Sequence, residues 1–133
     1  MTAVDSSVVV AAFASWHEAH QRALSALARK PRLPAHAAIE SYSVLTRLPP
    51  PNRVPAKLVS EFLKSRFPDP QAVLPRTKYG PLLEFAAKHE ITGGAVYDAL
   101  VAATALVAKA TLLTLDERAT RTYDLIGVKY ELV

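Results

Sequence analysis

The chain has 133 residues, enough for one domain with a proper hydrophobic core. Half of them are hydrophobic and 21% are charged, the balance of a folded globule, which excludes a disordered chain. Sixteen Lys and Arg against twelve Asp and Glu leave a net charge of +4, which allows a polyanionic partner without requiring one, and the absence of cysteine excludes disulfides and thiolate metal sites.

An acid at position 5 and the lack of a basic leader speak against a signal peptide. The longest apolar window, Ala99 to Leu115, is short for a membrane span and carries Lys109. The expectation is a soluble, cytoplasmic protein folded as a single domain over residues 1–133.

In chain order, Thr2-Ala3-Val4 reads as a short strand closed by Asp5. Ser6 and Ser7 can cap a helix that begins as the strand ends, although Val8 to Val10 could equally prolong the strand. His17 to Lys30 has the spacing of an amphipathic helix, with Ala19, Ala23, Leu24 and Leu27 on one face. His17 and His20, three residues apart, lack a third ligand and read as a solvated helix face rather than a metal pair. Arg32 to Ala35 is a second strand, weakened by proline, and His36 to Leu48 a helix with Glu40 in its opening turns. Three prolines at 49–51 make a stiff connector to a helix over Ala56 to Phe67, whose exposed apolar residues are the place to look for a dimer face.

Gln71 to Leu74 reads as a third strand and Lys78 to Glu90 as a further helix. The most informative stretch runs from Gly93 to Arg118. Two glycines lead into a helix with Asp98 in its first turn and small apolar residues behind it. Thr111 to Leu115 is then a buried strand, followed by Asp116. A short helix over Glu117 to Leu125, a stop at Gly127 and a last strand over Val128 to Val133 complete the chain. This alternation predicts a three-layer α/β/α fold with a central, mostly parallel sheet of roughly five strands.

In such a sheet ligands bind beyond the carboxyl ends of the strands. Asp5, Glu40 and Asp116 follow the first, second and fourth strands, and Asp98 opens the helix before the fourth, so all four acids can gather there. Two carboxylates about 5 Å apart repel by roughly 3 kcal/mol at an effective dielectric near 20. A hard divalent cation relieves that repulsion, and oxygen ligands with no His or Cys favour Mg²⁺ or Mn²⁺ over zinc. An acidic Mg²⁺ site in a basic protein suggests phosphate chemistry.

VDSSVV near the N-terminus, Glu40, GGAVYDALVAATA and LLTLDER, in this order and spanning the chain, resemble a PIN domain, and more narrowly the VapC-type toxin ribonucleases of bacterial toxin–antitoxin pairs. The resemblance implies a metal-dependent endoribonuclease in which Asp5, Glu40, Asp98 and Asp116 hold Mg²⁺, with Mn²⁺ a possible substitute. It implies that Thr114 and Ser6 are the hydroxyl residues beside those acids. It further implies an RNA substrate, a homodimer, and a VapB-like antitoxin whose C-terminal segment lies over the active-site groove.

Two rivals remain at this point. A phosphoacceptor domain also places aspartates around Mg²⁺ at strand ends. It would want a second Asp where Ser7 stands, or an acceptor after the third strand, where Leu74-Pro75-Arg76 stands. A catalytically silent nucleic-acid-binding domain of the same fold would keep the repulsion of the acids without using them. Arg and Lys scattered over the first two-thirds of the chain read mostly as solvated surface, though some could line a backbone groove beside the acidic edge. Trp16 and Tyr97 could stack on bases, although packing accounts better for either.

Overall fold

The computed structural model describes all 133 residues. Strand β1 (Thr2–Val4) runs into helix α1 (Ser6–Phe13), so the ambiguity at Val8 to Val10 resolves as helix. The cause is local: the Asp5 side chain accepts the Ser7 and Val8 amides, donors that a strand would spend elsewhere. Helix α2 (His20–Leu27) is shorter than its periodicity predicts. At its front the Ala19 amide donates to His17 Nδ1 at 3.0 Å, and at its end Lys30 takes a left-handed φ of 55° before Pro31. Helices α3 (Ala35–Thr46) and α4 (Ala56–Arg66) follow. A single 3₁₀ turn (Arg76–Lys78) then leads into α5 (Tyr79–Lys88). Helix α6 (Ala95–Val107), strand β2 (Thr111–Thr114), helix α7 (Thr120–Ile126) and strand β3 (Tyr130–Leu132) close the chain.

The three strands form a parallel sheet in the order β1-β2-β3. The two strands expected at Arg32–Ala35 and Gln71–Leu74 are reduced to isolated parallel bridges, Ala3 with Arg32 and Pro34 with Ala72. Pro31, Pro34 and Pro70 have no amide hydrogen to give to a ladder, so neither segment pairs beyond a residue or two. The bonds that do form still extend the sheet. Arg32 N–H donates to the Thr2 carbonyl at 2.8 Å, and Ala72 N–H to the Leu33 carbonyl at 3.0 Å. The lateral order is therefore the Ala72 segment, the Arg32 segment, β1, β2 and β3. The chain leaves β1 to one side and later returns to its other side, which makes the carboxyl end of β1 the topological switch point.

Right-handed crossovers put the helices before the switch on one face and those after it on the other. The packing follows this rule: α1 touches α2 and α3, α3 touches α4, and α6 touches α5 and α7, while α1 and α6 both lie on β2. The result is the three-layer α/β/α architecture. Ala3, Ala11, Ala23, Ala37, Ala99, Ala102 and Ala105 are wholly buried, and their small side chains let helix and sheet backbones approach closely. Tyr123 is the largest fully buried side chain. Val59 of α4 is buried, and Phe62, Leu63 and Phe67 pack on the core. That leaves Leu58 as the exposed large hydrophobic residue of α4, and the larger exposed apolar surface lies on α3 and α5, at Ile39, Tyr42 and Leu83.

Candidate active site

Each acid reaches the carboxyl edge by a different local device. Asp5 is both the residue after β1 and the N-cap of α1. Glu40 lies in the second turn of α3, which starts at that edge because it follows the Arg32–Pro34 segment. Asp98 is in the first turn of α6, which runs antiparallel to β2 and so begins where β2 will end. The entry to α6 needs Gly93, whose φ of +58° is a conformation that side-chain-bearing residues adopt at a cost. Asp116 follows β2, and its Oδ1 accepts the Arg118 and Ala119 amides at 3.0 and 3.4 Å, closing the turn into α7.

Asp5 is the most enclosed of the four, 5% exposed. Its Oδ1 accepts the Ser7 amide at 3.1 Å, the Val8 amide at 3.4 Å and the Ser7 hydroxyl. Its Oδ2 accepts the Thr114 hydroxyl and, at 2.7 Å, the Tyr123 hydroxyl. Five donors for about four lone-pair positions satisfy this carboxylate entirely from within the protein. The Thr114 oxygen in turn accepts the Asp116 amide at 3.0 Å, and the Ser7 oxygen accepts the Leu115 amide at 2.9 Å. The ends of β1 and β2 are thereby sewn together through hydroxyls. Burial pushes the Asp5 carboxyl above its usual range, and the donors pull in the opposite direction.

The remaining acids are held more loosely. Glu40 Oε1 accepts the Ser6 hydroxyl at 2.8 Å, so Ser6 serves the second acid and not the first. Asp98 accepts no hydrogen bond and Asp116 Oδ2 has no protein donor. The one ion pair of the molecule, Arg29 with Glu131 at 3.0 Å, is elsewhere. The Asp98 carboxyl is pushed up to about 6, first by partial desolvation and then by the charges of Glu40, Asp116 and Asp5, with Arg118 opposing. Three other carboxylates are thus near enough for Asp98 to feel them all. Their donor type and unneutralised charge fit a hard cation, although no three His, Cys, Asp or Glu side chains close into a metal-holding group here.

Sequence reading missed Tyr123, which lies 118 residues from the acid it touches. Nothing in TRTYDLI separates a core tyrosine from one that also serves a carboxylate. Burial and then the Asp5 charge raise its hydroxyl far above the usual tyrosine range, so it stays a donor at any working pH. Removing that hydroxyl deletes a charge-assisted hydrogen bond, generally worth about 1.5–3 kcal/mol. Tyr123→Phe is expected to lower stability by about 1–2 kcal/mol, part of the loss being offset by the easier burial of Phe. Urea unfolding monitored by circular dichroism, with an unchanged slope, checks it.

The histidines behave as a helix face. His17 Nδ1 caps Ala19, while His20 Nδ1 pairs with the Ala11 carbonyl at 2.8 Å, and they share no site. Trp16 and Tyr97 lie outside the core, 56% and 53% exposed, and the Tyr97 ring packs against that of His36. Asp5 also disfavours the phosphoacceptor rival, since a carboxylate that attacks phosphorus must present a free oxygen and both of these are engaged.

Comparison with known proteins agrees with this architecture. Residues 2–125 match the PIN domain family. The chain is 50% identical over 133 residues to Ribonuclease VapC40 of Mycobacterium tuberculosis, covering all of this chain and 99% of that protein. It is 44% identical over 127 residues to Ribonuclease VapC27 of the same organism, covering 95% and 92% of the two chains. Among solved structures, that of FitAcB from Neisseria gonorrhoeae has the same fold, with a TM-score of 0.72 and 17% identity over 99% of this chain and 97% of that one.

Proposed function

The chain belongs to the PIN domain family, in its VapC-type branch, and from that premise we propose that residues 1–133 act as one metal-dependent endoribonuclease domain, the toxin of a toxin–antitoxin pair. The observation that carries the reading is Asp98: unpaired, at the carboxyl edge, and raised to about 6 partly by three other acids. A protein keeps such uncompensated charge where a cation or a reaction uses it.

Asp98, Glu40 and Asp116, which retain open acceptor capacity, would hold Mg²⁺, or Mn²⁺ in its place, with Asp5 contributing charge and anchoring behind them. Bound there, the ion would lower the pKa of water and offset the charge of the phosphodiester oxygens, chemistry suited to hydrolysis that leaves 5′-phosphate and 3′-hydroxyl ends. Ser6 fixes the orientation of Glu40 through its hydrogen bond. Thr114 bridges the Asp5 carboxylate and the Asp116 amide, setting the spacing between the first and fourth acids. An antitoxin lying over these acids and a second copy of the chain are the expected partners, and Ile39, Tyr42 and Leu83 offer apolar surface that either can cover.

Incubating purified protein with total cellular RNA in Mg²⁺, in Mn²⁺ and in EDTA tests this. Discrete fragments with 5′-phosphate ends are expected only with metal. Equal cutting in EDTA, or ends carrying 2′,3′-cyclic phosphate, would overturn it.

A further inference from the structure

The geometry points to a nucleobase-stacking platform, made by Tyr97 over His36, that holds an unpaired base of single-stranded RNA beside the acids. The inference rests on the ribonuclease reading and deepens it by naming the side chains that would seat one base of the substrate. Four observations carry it. The two rings are stacked, with centroids 5.0 Å apart and planes 8° from parallel. Tyr97 remains 53% exposed although one face is covered by the imidazole, so its other face is open to solvent. Both residues sit in the first turns of their helices, α3 and α6, and both helices start at the carboxyl edge. Finally, each ring is tied to an acid: Tyr97 precedes Asp98, and His36 is one helical turn before Glu40 on the same face of α3.

A large ring left open to water on one side, and backed by a second flat ring, is suited to a further π-face. Every nucleobase presents one, so stacking here is tolerant of sequence. Duplex RNA offers no such face, because its bases are already stacked within the helix. The platform therefore selects single-stranded or looped RNA and positions the nucleotide next to the reacting phosphate.

Binding separates this from the catalytic reading, because it needs no turnover. Full-length Asp98→Asn and the double variant Asp98→Asn/Tyr97→Ala would be titrated with a fluorescein-labelled ten-nucleotide RNA of mixed sequence. An abasic ribose-phosphate strand of equal length and a ten-base-pair RNA duplex complete the set. Tyr97→Ala is expected to weaken binding of the mixed strand about tenfold, the scale of one base–aromatic stack, and Tyr97→Phe to restore it. Binding of the abasic strand and of the duplex should not distinguish the variants. Equal loss on the abasic strand would overturn the platform, as would unchanged binding of the mixed strand. Unchanged RNA binding with loss of antitoxin binding would assign the ring pair to the protein partner instead. Failure of the wild-type protein to cut RNA, with base-dependent binding intact, would count against the nuclease reading and leave the platform standing.

Discussion

Asp98→Asn is expected to abolish RNA cleavage while leaving the metal-free protein at least as stable as wild type. A carboxylate that helps hold a catalytic cation contributes several kcal/mol of transition-state stabilisation, so the rate should fall by about a thousandfold. Asp98 accepts no hydrogen bond and forms no ion pair, so the amide breaks no contact in the folded state, and it removes the repulsion from Glu40, Asp116 and Asp5. The two effects have opposite signs, which separates them from a simple loss of fold.

The same residue sets a pH dependence. The folded carboxyl keeps its proton up to about pH 6, whereas the unfolded chain releases it near 3.8. Between those values the native state binds more protons than the unfolded state. The Asp98 contribution therefore falls as pH rises through that window and stays low above it. Thermal unfolding in EDTA from pH 4 to 7.5 should show this decline in wild type relative to Asp98→Asn. Added Mg²⁺ should recover the difference at pH 7 by binding only the folded wild-type protein. Parallel curves for the two proteins would refute the account.

Asp5→Ala should act in the reverse way, on the fold first. Asp5 is the N-cap of α1, and loss of such a cap costs about 0.5–2 kcal/mol. It is also the acceptor for the hydroxyls of Tyr123 and Thr114, residues that are 1% and 0% exposed. Leaving such groups unpaired costs about 1–3 kcal/mol each, although burial of the Asp5 charge is itself unfavourable and part of the loss is returned. A net loss of about 3 kcal/mol is expected, a large share of the roughly 5–15 kcal/mol that holds a domain together. The melting temperature should drop by about 10 °C. Asp5→Asn keeps a good capping oxygen, and the hydroxyls can rotate to accept from its amide, so it should lose less than half as much. An Asp5→Ala protein as stable as wild type would show that the hydroxyl cage is not structural. Two acids of one site thus carry different weights, one anchored by the fold and one left free.

That difference was not legible in the sequence, and the reason is separation along the chain. What residues a few positions apart decide could be read directly. Asp5 ends a β-rich run and precedes two serines, Asp98 follows two glycines at a helix start, and Asp116 follows a buried strand. Strand–helix alternation then sends their elements to one edge of a parallel sheet. The PIN fold and its VapC-type relatives were recognisable from the same local stretches. The prolines that reduce two strands to single bridges were visible as well, but the remaining number of ladder bonds depends on neighbours that only folding supplies.

The partners of each acid were decided by tertiary structure alone. Ser6 turns to Glu40, 34 residues away, Thr114 to Asp5 across 109 residues, and Tyr123 to Asp5 across 118. Sequence periodicity states which face of its own helix or strand a side chain occupies. It does not state which group on another element meets that face, because the meeting is set by sheet order and by how closely alanine-lined helices approach. Hence the chain's local patterns determined that four carboxylates reach the carboxyl edge. The packing of α1 and α6 on β2, of α7 on α6, and of α3 against α6 decided that Asp5 is caged, Asp98 is bare, and the Tyr97 ring lies against His36 with one face left to solvent.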